Sequence, residues 1–235
     1  MKEMKLGIMQ PYFFPYLGYF QLINAVDKFV VYDNIQYTKK GWFNRNRYLC
    51  EGRDKYFTVP LAKDSDFLDV CCRKVAKNFN KEKLKNQIRT AYQKAPFFRE
   101  TFELFCECVD YENDNLFEFI FFSIRRILSH LELDTEIIVS SAVNIEHSAL
   151  KGEKKVLALC RELNAGYYIN SIGGMELYDK KHFKEENIKL HFIKMDHIAY
   201  KQWENEFVAG LSILDVLMFN SVEETKEMLN RYILL

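Results

Sequence analysis

The residues best equipped for chemistry gather in three short segments. The first, "DNIQYTKKGWFNRNRYL" (33–49), sets Lys40, Arg45 and Arg47 among Asn44, Asn46 and Trp42, in a chain whose positive and negative side chains balance at 33 each. Guanidinium forks grip phosphate or carboxylate through two parallel hydrogen bonds, and side-chain amides add donors and acceptors. Lys40, Asn44, Arg45, Asn46 and Arg47 are therefore read as a local anion site. The competing reading is the solvated rim of a hairpin. The second segment runs from Gln10 through Pro11, Tyr12, Phe13, Phe14 and Pro15 to Tyr16. Prolines hold a loop in one shape, and tyrosines offer flat faces with a polar tip, so the loop with Gln10, Tyr12 and Tyr16 suits stacking on a base or ring and placing an anion against free backbone amides at the helix start. Core-plugging aromatics are the alternative. The third, "YYINSIGGMELYD" (167–179), offers the Ser171 hydroxyl and the pair Gly173-Gly174, where a ligand can approach the backbone closely.

Other chemistries are missing from the text. No Walker loop, nucleophile elbow, His-Glu-x-x-His or GxGxxG occurs. His130 and His191 fall inside apolar elements, whereas His147, His182 and His197 lie in loops or near helix ends. The spacing of Cys50, Cys71, Cys72, Cys106, Cys108 and Cys160 does not suit zinc, and no apolar leader stretch precedes them. Free thiols in a reducing cytoplasm are expected. Zero net charge argues against a bulk field for DNA or an anionic membrane. The most apolar run, Leu116 to Leu131, carries Glu118, Arg125 and Arg126 and is too short to span a bilayer, so stable membrane insertion is not expected.

The positioning elements follow from periodicity. Residues 5–10 and 28–33 read as strands on either side of a helix at 16–26. A hairpin turning at "EGRD" (51–54) follows, with "KYFTVPLA" as its return strand. Helical spacing then holds from Lys81 to Leu131, with Asn80 and Asn113 or Asp114 as N-caps and Pro96 in the first turn of a new helix. The last third alternates again: strand "EIIVS", a helix ending at Gly166, strand "YYINS", a Gly-Gly turn, strand "KLHFIKM" and helices at 212–219 and 222–233. This pattern predicts a single α/β domain over 1–235, a Rossmann-like, mostly parallel sheet with helices on both faces and a helical insertion at about 80–131. In such a sheet, ligands bind beyond the carboxyl ends of the strands where the winding reverses, and there the three segments converge.

The block "IMQPYFFPYLGYFQLINAVDKFVVYDNIQYTKKGWFNRNRYL" resembles the opening signature of the WbqC-like family, and "YYINSIGGMELYD", "AYKQW" and "LSILDVLMFN" are similar to its later blocks in the same order. The resemblance implies a role in bacterial surface-polysaccharide (O-antigen) synthesis, with glycine attached through an amide to an amino sugar carried on a nucleotide or lipid. Such chemistry needs an activated carboxyl, a neutral amine and donors for the oxyanion. On that implication Asp33 is the carboxylate base or amine anchor, or else a turn cap, and Ser171 with Gly173 and Gly174 supplies donors. ATP with magnesium, or glycine preactivated on tRNA or another carrier, is the source of activation. Tyr200, Gln202 and Asp215 match later blocks without an assigned role. A looser similarity to nucleotidylyltransferases and pantoate ligases stops at Pro15-Tyr16-Leu17-Gly18-Tyr19, which lacks their paired histidines. A nucleotidylyltransferase, an ATP-dependent amide ligase and a non-catalytic assembly protein stay open as alternatives.

Overall fold

A computed structural model describes residues 3–65, 67–204 and 206–235. The chain opens as β1 (Lys5–Met9), α1 (Leu17–Asn24) and β2 (Lys28–Val31). β1 and β2 are parallel, with Leu6 opposite Lys28 and Met9 opposite Val31. Gly7 lets the helix lie close on the strand, since a Cβ there would come 3.0 Å from the Phe29 ring and 3.5 Å from Leu22. The hairpin is β3 (Arg45–Cys50) and β4 (Arg53–Thr58), a separate two-stranded sheet. Its two-residue turn is Glu51-Gly52, both at positive φ (54° and 72°), as a tightly twisted hairpin requires.

Three helices follow, α2 (Lys81–Tyr92), α3 (Phe98–Asp110) and α4 (Leu116–His130). Asn80 caps α2 by accepting from Lys83 N. Asn115, rather than Asn113 or Asp114, caps α4 by accepting from Glu118 N, while Asn113 accepts from Asn115 N. The remainder is β5 (Glu136–Val139), α5 (Gly152–Glu162), β6 (Tyr167–Ser171), α6 (Lys180–Glu185), β7 (Lys189–Met195), α7 (Ile213–Phe219), α8 (Val222–Leu229) and β8 (Tyr232–Leu234).

The main sheet has the order β5-β2-β1-β6-β7-β8, parallel except for the edge pair β7–β8. Alternate residues of each strand feed different cores. Phe29, Val31, Ile169 and Ile193 join Phe13, Phe14 and the residues of α1 to α4, α7 and α8. On the opposite face Leu6, Ile8, Val30, Tyr168, Leu190 and Phe192 pack on Val156, Leu159, Cys160 and Phe183. Both faces are thus covered, as a parallel sheet demands. The Rossmann-like expectation is met.

Three stretches differ from the sequence reading. Pro96 lies just before Phe97, the N-cap of α3, and not in the first turn of that helix. The helix expected over 222–233 ends at Leu229, and the chain turns at Asn230 and Arg231 into β8, antiparallel to β7. Phe192 exchanges both backbone bonds with Leu235, which gives the terminal apolar residues a sheet edge to complete. The Gly-Gly segment is one stretch of 3-10 helix over Ile172–Leu177 rather than a tight turn, and the short α6 after it is capped by Asp179.

Candidate functional site

The winding reverses between β1 and β6, because the chain leaves β1 toward β2 on one side and returns to β6 on the other. A cleft of about 830 Å³ opens at the carboxyl ends of these strands. Gln10, Tyr12, Tyr16, Ser171, Gly173 and Gly174 all line it. Segments distant in sequence therefore meet at one place.

The aromatic loop after β1 divides its labour. Phe13 and Phe14 are fully buried, and Phe14 holds a left-handed φ of 46°. Tyr12 and Tyr16 face the cleft. The Tyr12 hydroxyl donates to Gln10 Oε1 at 2.9 Å, and Tyr19 donates to Gln10 O at 3.1 Å. Burial, then the neighbouring Tyr16, pushes the Tyr12 phenol up to about 12, so it remains a donor at neutral pH. The loop is stitched from two sides. Asn46 Nδ2 donates to Phe13 O (3.4 Å) and Phe14 O (2.8 Å), and Ser212 Oγ donates to Phe14 O at 2.7 Å.

The basic hairpin takes another role. Lys40, Asn44, Arg45, Asn46 and Arg47 do not line the cleft. Asn44 is buried, donating to Val59 O and accepting from Tyr37. Arg45 donates to Gly41 O and Lys40 O, and Arg47 to Gly210 O and Asp54. Both guanidinium groups lie over Trp42, at 5.9 Å and 5.6 Å from its ring centroid, and Trp42 itself lines the cleft. Both cations thus contact an aromatic side chain of the cleft wall without lining the cleft themselves. Hydrogen bonds within the hairpin and to Gly210 engage part of each fork, while Arg47 Nε is buried without a partner.

Asp33 is buried and reaches the cleft only through others. Its Oδ1 accepts from Ser141 N at 2.9 Å and lies 2.7 Å from Ser140 Oγ, so it caps the turn after β5. The Ser140 hydroxyl has one hydrogen to share between Asp33 Oδ1 and Asn34 Oδ1, each 2.7 Å away. Asn34 lines the cleft and donates to His147 Nδ1 at 3.0 Å. The Nε2 of His147 lies 2.9 Å from Val143 O, and because a carbonyl only accepts, Nε2 carries the hydrogen. Ser171 Oγ has Met9 Sδ at 3.9 Å and no base within hydrogen-bond reach among the described residues. This arrangement suits a donor, not an activated nucleophile.

The sequence reading missed Lys155, Asn170, Tyr32 and Tyr178, which also line the cleft. Lys155 had a signal: it stands four residues before the fully buried Leu159, on the inward face of α5. Burial lowers its ammonium from the ordinary lysine value, while Asp69 and Asp33 pull the other way. Asp69 is the carboxylate that lines the cleft, and among the described residues no three His, Cys, Asp or Glu side chains form a metal-binding group. All six cysteines are free, and no helix among the described residues is long and apolar enough to cross a membrane.

Gly174 packs directly on Asn170, since a Cβ there would lie 2.4 Å from Asn170 Nδ2. Asn170 cannot easily retreat, because its Oδ1 accepts from Ser171 N at 2.8 Å. Gly174→Ala is expected to break that bond, at a cost of about 1 kcal/mol. A thermal melt and a shifted Asn170 side-chain amide resonance check it; unchanged values for both contradict this packing.

The two remaining family blocks find a structural explanation away from the cleft. Asp215 is fully buried in α7 and accepts from Tyr92 (2.7 Å), Tyr200 (2.7 Å) and Gln202 (2.6 Å). Tyr92 in turn accepts from Leu49 N at 2.7 Å. Tyr200, Gln202 and Asp215 are an anchor joining α2, β3, α7 and the loop before it.

The model of the WbqC-like protein family matches residues 10–227. Among curated proteins, the chain is similar to "Uncharacterized protein Rv1507c" of Mycobacterium tuberculosis, 28% identical over 229 residues, covering 96% of this chain and 97% of that one. No solved structure matches.

Proposed function

Since the chain belongs to the WbqC-like protein family, we propose that its cleft transfers an acyl group, glycine, to the amine of a sugar in surface-polysaccharide synthesis. The observation that carries this reading is the cleft lining, in which Tyr12, Tyr16, Tyr32 and Trp42 stand with the amides of Gln10, Asn34 and Asn170. Flat rings pack on the apolar faces of a sugar, and amides pair with its hydroxyls in both directions. The acceptor is an amino sugar on a nucleotide, or on a lipid, and a nucleotide-linked acceptor implies a cytoplasmic reaction. The amine attacks the activated glycyl carbonyl, a C–N bond forms, the bond to the leaving oxygen or sulfur breaks, and the amine proton departs with the leaving group. Ser171 and the backbone at Gly173 and Gly174 are the donors for the oxyanion. Asp33 is assigned as a positioning residue that holds Asn34 through Ser140. Glycine is activated by ATP with magnesium or arrives preactivated on tRNA or another carrier.

Mass spectrometry of the purified protein with glycine, ATP, magnesium and a panel of nucleotide-linked amino sugars tests the reading. The expected product is the sugar heavier by one glycyl unit. If only a preformed glycyl ester yields it, self-activation is rejected and transfer is kept. Release of pyrophosphate with a nucleotide-sugar product but no glycyl gain would favour a nucleotidylyltransferase instead.

A further inference from the structure

Lys155 projects from the first turns of α5 and is 7% exposed. Its Nζ donates to Asn34 Oδ1 at 2.9 Å and to Asn34 O at 3.2 Å, and it lies 5.1 Å from the Tyr32 ring centroid. An ammonium has three hydrogens, so one has no acceptor among the described residues. Both of its hydrogen bonds go to one uncharged residue, Asn34. Asp33 and Asp69 act on it only from further away. A buried cation whose hydrogen-bond partners are neutral, with carboxylates acting only from a distance, is stabilised further when an opposite charge arrives beside it.

The surroundings suit that charge. Lys151 and Gly152 line the same cleft, and Lys151, at the N-cap of α5, offers no side-chain cap. The first-turn amides of this eleven-residue helix are left without a side-chain acceptor, and the helix dipole adds positive potential beside Lys155. A Cβ on Gly152 would meet nothing within 4 Å, so the space before the helix start is open.

We propose that Lys155 and the first turn of α5 form an oxyanion subsite that takes a phosphoryl or carboxyl group of the bound ligand. This inference deepens the transferase reading by giving the charged part of the substrate a place, which the basic hairpin does not provide. Two cations and a helix start favour a multiply charged phosphoryl group over a single carboxylate.

The test is calorimetric titration of the full chain with inorganic pyrophosphate and, separately, with glycine. Pyrophosphate is expected to bind the wild type, to weaken at least tenfold in Lys155→Met, and to be unaffected by Lys40→Ala, whose side chain is exposed on the hairpin. Stronger binding of glycine than of pyrophosphate, with the same dependence on Lys155, would assign the subsite to a carboxylate. Equal pyrophosphate binding by wild type and Lys155→Met, or none by the wild type, overturns the proposal. Should Lys155→Met fail to fold, reductive 13C-methylation of the wild type decides the matter. The Lys155 resonance moves with pyrophosphate if the subsite exists and stays still if it does not. Glycyl transfer without any pyrophosphate effect at Lys155 sinks this subsite alone, whereas the converse result sinks only the transferase reading.

Discussion

Asp215→Ala is expected to destabilise the fold by about 4 kcal/mol, because it removes the buried carboxylate that accepts from the Tyr92 and Tyr200 hydroxyls and the Gln202 amide. Denaturant titration reads the loss as a fall in midpoint at unchanged slope, and a loss below about 1 kcal/mol would refute the anchor. The carboxyl also leaves a mark on pH dependence. Burial raises it above the ordinary aspartate value, while the three donors pull it down. The folded state therefore holds this proton to higher pH than the unfolded chain does. The resulting stabilisation is complete below the unfolded value and is lost as pH rises through the raised folded value. Asp215→Asn has no proton to hold, so its stability profile should be flatter across that window.

Asn46→Ala should cost about 3 kcal/mol, since one buried amide ties the carbonyls of both Phe13 and Phe14 and also accepts from Arg47 N at 2.9 Å. Its second effect separates it from ordinary core damage. With Phe14 released from its left-handed conformation, the Tyr12 wall should loosen. Hydrogen exchange should quicken at Phe13 and Phe14 well before global unfolding, and uniform exchange through the domain would contradict the clamp.

The parallel strands and their helices are legible in the sequence because each is buried with a clear period: "KFVVYD" and "YYINS" are built around the apolar runs "FVVY" and "YYI", and Asn80 marks its helix start by type alone. β8 is not, since Tyr232, Ile233 and Leu234 continue the helical spacing of α8 and only pairing with β7 decides their state. Within the site, the loop after β1 and the Ser171–Gly174 segment can be found because strand ends place them. Arg45 and Arg47 are harder to read, because local sequence records a guanidinium's charge but not which carbonyls will claim some of its hydrogens. Lys155 shows the reverse. It looks like one of many surface lysines until its position on the inward face of α5 is weighed.

The segment from Gln10 to Tyr16 is held by Asn46 from the hairpin and by Ser212 from the start of α7, with Ile213 N bonded to Pro15 O at 2.8 Å. Such a wall loses its conformational freedom during folding, so an incoming molecule need not supply that ordering entropy. On the proposed transferase reading, selection there would work by exclusion: a ring of the wrong width would meet an unyielding surface, and discrimination between similar sugars would come from steric rejection rather than from closure around the right one.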